Sequence, residues 1–156
     1  MPYAEGTTVT VARSQAEIGE VIRKYGATGY TSGWQGDQAM VEFIADARRV
    51  RIIVDVPTDW RDFELTDKKV RRKQAAAEAA MDAEVRRLWR ALHIVIKAKL
   101  EVVQSGITTL ESEFMAHIVM PDGRTVAEHV TPVIRESYDR GRVSGQLLAI
   151  GGSTDA

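Results

Sequence analysis

Cysteine is absent from this chain of 156 residues, which excludes disulfides, thiolate zinc sites and cysteine nucleophiles. Histidine is scarce. His93, His117 and His129 fall in no HExxH and no other ligand spacing, so no metal site is expected. No GxSxG elbow marks a serine nucleophile. No glycine-rich phosphate loop follows a strand, because Gly29, Gly33 and Gly36 lie among strand residues rather than before a helix. Catalysis is left without support, and a non-enzymatic protein without a cofactor is the expectation. No apolar run approaches the roughly 20 residues that span a bilayer. Nor does a charged segment followed by an apolar stretch open the chain. We therefore expect no membrane partner and a cytoplasmic location.

Charge of either sign is not in excess overall, since the formal net charge is −1. Its distribution is uneven. Residues 68–99 carry ten Lys or Arg against Glu78, Asp82 and Glu84, a net of +7, which leaves −8 for the rest. Such asymmetry points to a basic surface for an anionic partner or to pairing with acidic segments elsewhere. An apolar content of 44% and a charged content of 28% fit one globular domain, expected over residues 1–148 with a flexible tail over 149–156.

Hydrophobic periodicity sets out the elements. Thr7–Ala12 alternates and is β-branched, which predicts a first strand. Ser14 and Glu17 form a capping box before Ile18, Val21, Ile22 and Tyr25, and Gly26 stops that helix. Strands are predicted over Thr28–Trp34, Gln38–Ala45 and Arg49–Val56, with Ala39, Val41, Phe43 and Ala45 on one face. Trp60, Phe63 and Leu65 would pin the next loop to the body. Helix-forming sequence runs from about Lys68 to Gln104, with a break expected near Ala75–Ala80. Thr108 with Glu111, and Thr125 with Glu128, open two further helices, the last carrying Pro132 and ending at Gly141. The predicted class is α+β: a three- to four-stranded antiparallel meander packed on a long central helix, followed by two C-terminal helices.

The central helix holds most of the candidate chemistry. Met81, Val85, Leu88, Leu92, Ile96 and Val103 form an apolar stripe from which Lys99 projects. A lysine there needs a carboxylate, a ligand anion or a water path, and Glu111 and Glu113 are the nearby acids. Roughly opposite, Arg86, Arg90, His93 and Lys97 make a basic ridge with spacing suited to a phosphate backbone. Lys68, Lys69, Arg71 and Arg72 crowd the expected helix start, where the macrodipole disfavours cations unless an anion binds. Tyr30 and Trp34 are candidate base-stacking residues. The run Ala91–Leu100, apolar around most of its circumference, predicts a helix between two layers or at an oligomer interface.

The stretch WRALHIVIKAKLEVVQSGITTLESEFMAHIVMPDGRTV, Trp89–Val126, together with ARSQAEIGEVIRKYGATGYTSGW near the N-terminus, resembles a widespread family of small phage and prophage proteins. The resemblance implies a viral or mobile-element origin and action inside a bacterial cell. By topology, the order α-β-β-β-α with KKVRRKQAAAEAAM opening the last helix also looks like a double-stranded RNA-binding domain, in which Lys68, Lys69 and Lys73 would be the phosphate-facing cations. The strand before the first helix, the long Pro57–Asp67 connection and the two extra helices depart from that pattern. The leading expectation is a homo-oligomeric nucleic-acid-binding protein in replication, recombination or counter-defence. A second is a sponge for an anionic nucleotide held by Lys97, Lys99 and Arg124. A third is a structural protein–protein module.

Overall fold

The first helix begins three residues before its expected cap. In the computed structural model, which describes residues 3–143, helix α1 spans Val11–Tyr25, with Thr10 as its N-cap accepting the Arg13 N–H at 3.2 Å. The strand predicted over Thr7–Ala12 is not formed. Thr10 satisfies an orphan amide of the first turn, and the early start lets Val11 pack on the core, so a good cap outcompetes β propensity. Ser14, the expected cap, is buried within the helix instead. Gly26 closes α1 at φ 108°, a left-handed conformation that glycine adopts without a Cβ penalty.

Strands β1 (Gly29–Gln35), β2 (Gln38–Ala45) and β3 (Arg48–Asp55) form an antiparallel meander in chain order. The β2–β3 connection is only Asp46-Ala47, both at positive φ, as a two-residue hairpin of matching twist requires. Val41 lies opposite Ser32 and Ile52, and Phe43 opposite Tyr30 and Val50. Ala39, Val41, Phe43 and Ala45 are buried on that face, as the alternation predicts.

After β3 a short 3-10 turn, Trp60–Phe63, rests on the next helix. Trp60 and Phe63 do pin this loop, but Leu65 is exposed. The chain then doubles back. Lys69, at φ 59°, donates its N–H to the Thr66 carbonyl at 2.7 Å, and Leu65 bridges Arg71. Arg72 locks the turn by donating from its guanidinium to the carbonyls of Phe63 and Leu65 at 2.9 and 3.0 Å. Helix α2 consequently starts at Gln74, not Lys68, with Lys73 as its N-cap. It runs unbroken to Gln104, and Ala77 in the expected break is buried.

The buried face of α2 is Trp89, Leu92, His93, Ile96 and Leu100. The predicted stripe is therefore displaced around the helix. Leu92 and Ile96 lie in the core and Val85 and Val103 pack against it, whereas Met81 and Leu88 stay half-exposed outside that cluster. Ile18 and Ile22 of α1 and Val41 and Phe43 of the sheet belong to the same cluster as that face.

Helix α3 (Leu110–Phe114) is capped by Thr109 rather than Thr108, its hydroxyl accepting the Ser112 N–H. Phe114 is fully buried and meets Phe43 edge-on, with ring centroids 5.5 Å apart. Ile118 then bridges Val50, and the Val119 N–H donates to Arg49 O at 2.8 Å, so this segment covers the outer edge of β3. Helix α4 (Val126–Arg140) opens on the predicted Thr125–Glu128 capping box, holds Pro132 within it and ends at Gly141, but it buries no residue. The tail expected over 149–156 lies outside the described residues. The fold is α+β, with a three-stranded sheet.

These placements predict unequal sensitivity to truncation. Phe114→Ala should cost about 3–5 kcal/mol, as deletion of a buried aromatic does. Ile134→Ala on α4 should cost less than about 0.5 kcal/mol, as exposed substitutions do. Paired urea melts check both.

Candidate nucleic-acid interface

Helix α1 lies along the ridge of α2 and changes its character. An Arg90 N–H donates to Glu17 Oε2, and Arg13 Nε donates to the other carboxylate oxygen at 3.0 Å. These two guanidinium hydrogen bonds hold the Glu17 carboxyl down to about 2. His93, predicted to be exposed on the ridge, is 8% exposed, and its Nδ1 has no hydrogen-bond partner. Its burial, reinforced by Arg90, lowers its pKa and favours the neutral ring. Lys97 pairs only loosely with Glu101, at 3.9 Å on an exposed surface. Arg86 makes no ion pair among the described residues.

A groove of about 520 Å³ separates α1 and α2, lined by Lys24, Arg90 and Lys97 and by Glu17, Glu20 and Glu101. With cations and acids matched in number, it offers no surplus charge to an anion. The ridge is thus largely an internal seam. Sequence reasoning missed Glu17 as its neutralising partner because the two lie 73 residues apart in the chain.

Lys99 is also occupied. Its ammonium donates to Glu113 Oε2 at 3.2 Å and to the Glu113 carbonyl at 2.8 Å, and it sits 5.6 Å from the Phe114 ring centroid. It tethers α3 to α2, with Glu113 taking the role expected of Glu111 or Glu113. Glu111 pairs with Arg48 instead. Arg124 donates to the Glu128 carbonyl at 3.0 Å. Lys97 lines the α1–α2 groove while Lys99 is held on the α3 side. The expected trio of Lys97, Lys99 and Arg124 is therefore not brought together: residues two apart on a helix project about 200° from each other.

The basic turn before α2 presents a different picture. Lys68, Lys69 and Lys73 are exposed and form no ion pair among the described residues. Arg71 reaches Glu64 at 3.2 Å with its own side chain 77% exposed, a pair of the kind worth little in water. Arg72 faces inward, bound to carbonyls. The amide end of α2 has neither a side-chain cap nor an acid in its first turn. Four cations thus stand within six residues of an uncapped helix start, and local acids offset one of them.

The two stacking candidates separate. Tyr30 donates its hydroxyl to Gln15 O at 2.8 Å, and its ring lies so close over Gly19 that a Cβ there would come within 2.8 Å. It is a fastener between β1 and α1. Trp34 is 76% exposed and remains accessible.

Among the described residues no group of three or more His, Asp or Glu could hold a metal ion, and no helix is long and apolar enough to cross a membrane. No protein-family model, curated protein or solved structure matches the chain.

The Glu17 seam makes a prediction for acid. A carboxylate depressed on folding stabilises the protein above its ordinary value of 4.5 and loses that contribution as pH falls toward 2. Glu17→Gln should lower stability at pH 7 and flatten the stability–pH curve between those limits. Denaturant melts at several pH values would show parallel curves if the seam contributed nothing.

Proposed function

We propose that the chain binds nucleic acid without catalysing a reaction, through the basic turn that leads into α2. One observation carries this reading: Lys68, Lys69 and Lys73 are exposed and unneutralised beside an uncapped helix N-terminus. Phosphate oxygens relieve such an arrangement twice, by neutralising the lysines and by accepting from the free amides. Arg71 joins the contact by exchanging Glu64 for phosphate. Arg86 lies on another side of α2, about 140° around the helix from Lys73, and Arg72, Arg90, His93, Lys99 and Arg124 serve the fold.

Duplex is the favoured form. The order α-β-β-β-α with lysines at the second helix start is the layout compared above with a double-stranded RNA-binding domain, and the strand before α1 that would have set this chain apart is not formed. Contact through phosphates suits a duplex, whose bases are stacked away. Single-strand recognition needs a platform of aromatics, and Tyr30 is committed elsewhere. The resemblance to phage and prophage proteins agrees with a part in replication, recombination or counter-defence. A sponge for small nucleotides draws less support, because its three cations point apart.

The expected behaviour is binding to duplex RNA or DNA that weakens linearly on a log–log salt plot. Replacing Lys68, Lys69 and Lys73 together by alanine should reduce that slope by about 2–3, since each lost phosphate contact removes roughly 0.9. Arg90→Ala should lower stability and leave the slope alone. Fluorescence anisotropy across a salt series reads both, and absence of binding to any polymer at low salt would remove the proposal.

A further inference from the structure

The groove between α1 and α2 is built differently from the basic turn. Glu17 of α1 meets both Arg90 and His93 of α2, and the groove continues to Tyr25 on one helix and Gln104 on the other. The two helices therefore run in the same direction, which sets Glu20 level with His93 and Lys97, and Lys24 level with Lys97 and Glu101. Arg90 and Glu17 neutralise each other, which leaves two cations and two acids on an exposed rim. Glu20 and Lys24 make no ion pair among the described residues, and Lys97 and Glu101 meet only along their own helix, at 3.9 Å. Opposite charges thus face one another across about 520 Å³ of groove, a volume in the range that holds small molecules. Below the rim the lining turns apolar, with Leu100 buried and Val21 half-buried. His93 completes this floor at 8% exposure. Its Nδ1 has no hydrogen-bond partner, and its Nε2 lies 3.9 Å from Glu17 Oε2, too far to donate. A buried imidazole without partners is costly unless another group supplies the bond.

We infer that this groove binds a free amino acid whose aromatic side chain carries a hydroxyl, the class of tyrosine. Charge balance selects the zwitterion. An anion or a cation alone meets as much repulsion as attraction here, whereas a carboxylate beside Lys24 and Lys97 and an ammonium beside Glu101 satisfy both signs at once. Shape places the rest. With its charged end at Lys97, the ligand lays its ring over Val21 and Leu100, and its hydroxyl arrives at His93, one turn or about 5.4 Å back along α2. A hydroxyl both donates and accepts, so it pairs with His93 Nε2 in either neutral tautomer. None of these residues belongs to the Lys68–Lys73 turn, so a ligand in the groove leaves the proposed phosphate contacts untouched.

Titrating L-tyrosine into the uniformly 15N-labelled full chain and following amide shifts tests this. Saturable shifts are expected over residues 17–25 and 90–104, with a dissociation constant below about 1 mM. Tyramine, which lacks the carboxylate, and hydroxyphenylpropionate, which lacks the ammonium, should each bind about tenfold more weakly or worse. Phenylalanine, which lacks only the hydroxyl, should lose about five- to tenfold, the share of one hydrogen bond. Lys97→Glu and Glu101→Lys, both at exposed positions, should each weaken tyrosine about tenfold with an unchanged circular dichroism spectrum. Absence of saturable shifts, any of the three analogues binding as tightly as tyrosine, or indifference to both rim substitutions would each overturn the inference.

Discussion

One face of α2 organises everything around it. Trp89, Ile96 and Leu100 are buried in a single cluster with Ile18 and Ile22 of α1 and with Val41 and Phe43 of the sheet, so one helix supplies the contact surface for two layers. This explains why the buried arc is centred on Trp89 and Leu100, with Leu92 at one edge and His93 at the other, rather than on the stripe that periodicity favours. Burial follows from where two neighbours can both reach, and side-chain hydrophobicity is only one input. It also explains why Lys99 and Arg90 are bound internally. They flank the packed arc, where long cationic side chains lie along apolar surface and find carboxylates on the elements packed beside them.

The same geometry sorts the positive charge. Beside the packed arc the cations are matched, Arg90 with Glu17 and Lys99 with Glu113, and Arg87 pairs along the helix with Glu84. Before the helix begins, Glu64 reaches Arg71, and among the described residues no acid pairs with Lys68, Lys69 or Lys73. The net of +7 over residues 68–99 thus divides into a largely neutralised seam, an exposed knuckle, and Arg86, which pairs with no acid among the described residues. The knuckle exists because Lys69 turns through a left-handed conformation and Arg72 clamps the turn to carbonyls, which takes the cluster out of the helix.

Much of this was legible in local sequence. The meander, the Gly26 and Gly141 stops and the Thr125–Glu128 box were set by alternation and short-range capping, and each formed where those rules place it. Thr7–Ala12 and Lys68–Lys73 misled for one reason: in both, propensity favours a regular element and a nearby polar residue offers a better local hydrogen bond. Thr10 caps a helix in the first, and Thr66 accepts from the Lys69 N–H through its carbonyl and from the Val70 N–H through its hydroxyl in the second. The candidate site was half legible. The lysines of the basic turn were identified from composition alone, whereas the neutralisation of Arg90 by Glu17 and the withdrawal of Tyr30 onto Gly19 depend on contacts between distant segments that no periodicity encodes.

The central claim is that phosphate is met by the turn at Lys68–Lys73 and not by the α1–α2 seam. Titrating a short RNA duplex into uniformly 15N-labelled protein, followed by amide chemical shifts, tests this most directly. The account predicts perturbations concentrated over residues 66–77, fading at higher salt. Shifts confined to residues lining the Glu17–Arg90 groove, or none at all, would contradict it.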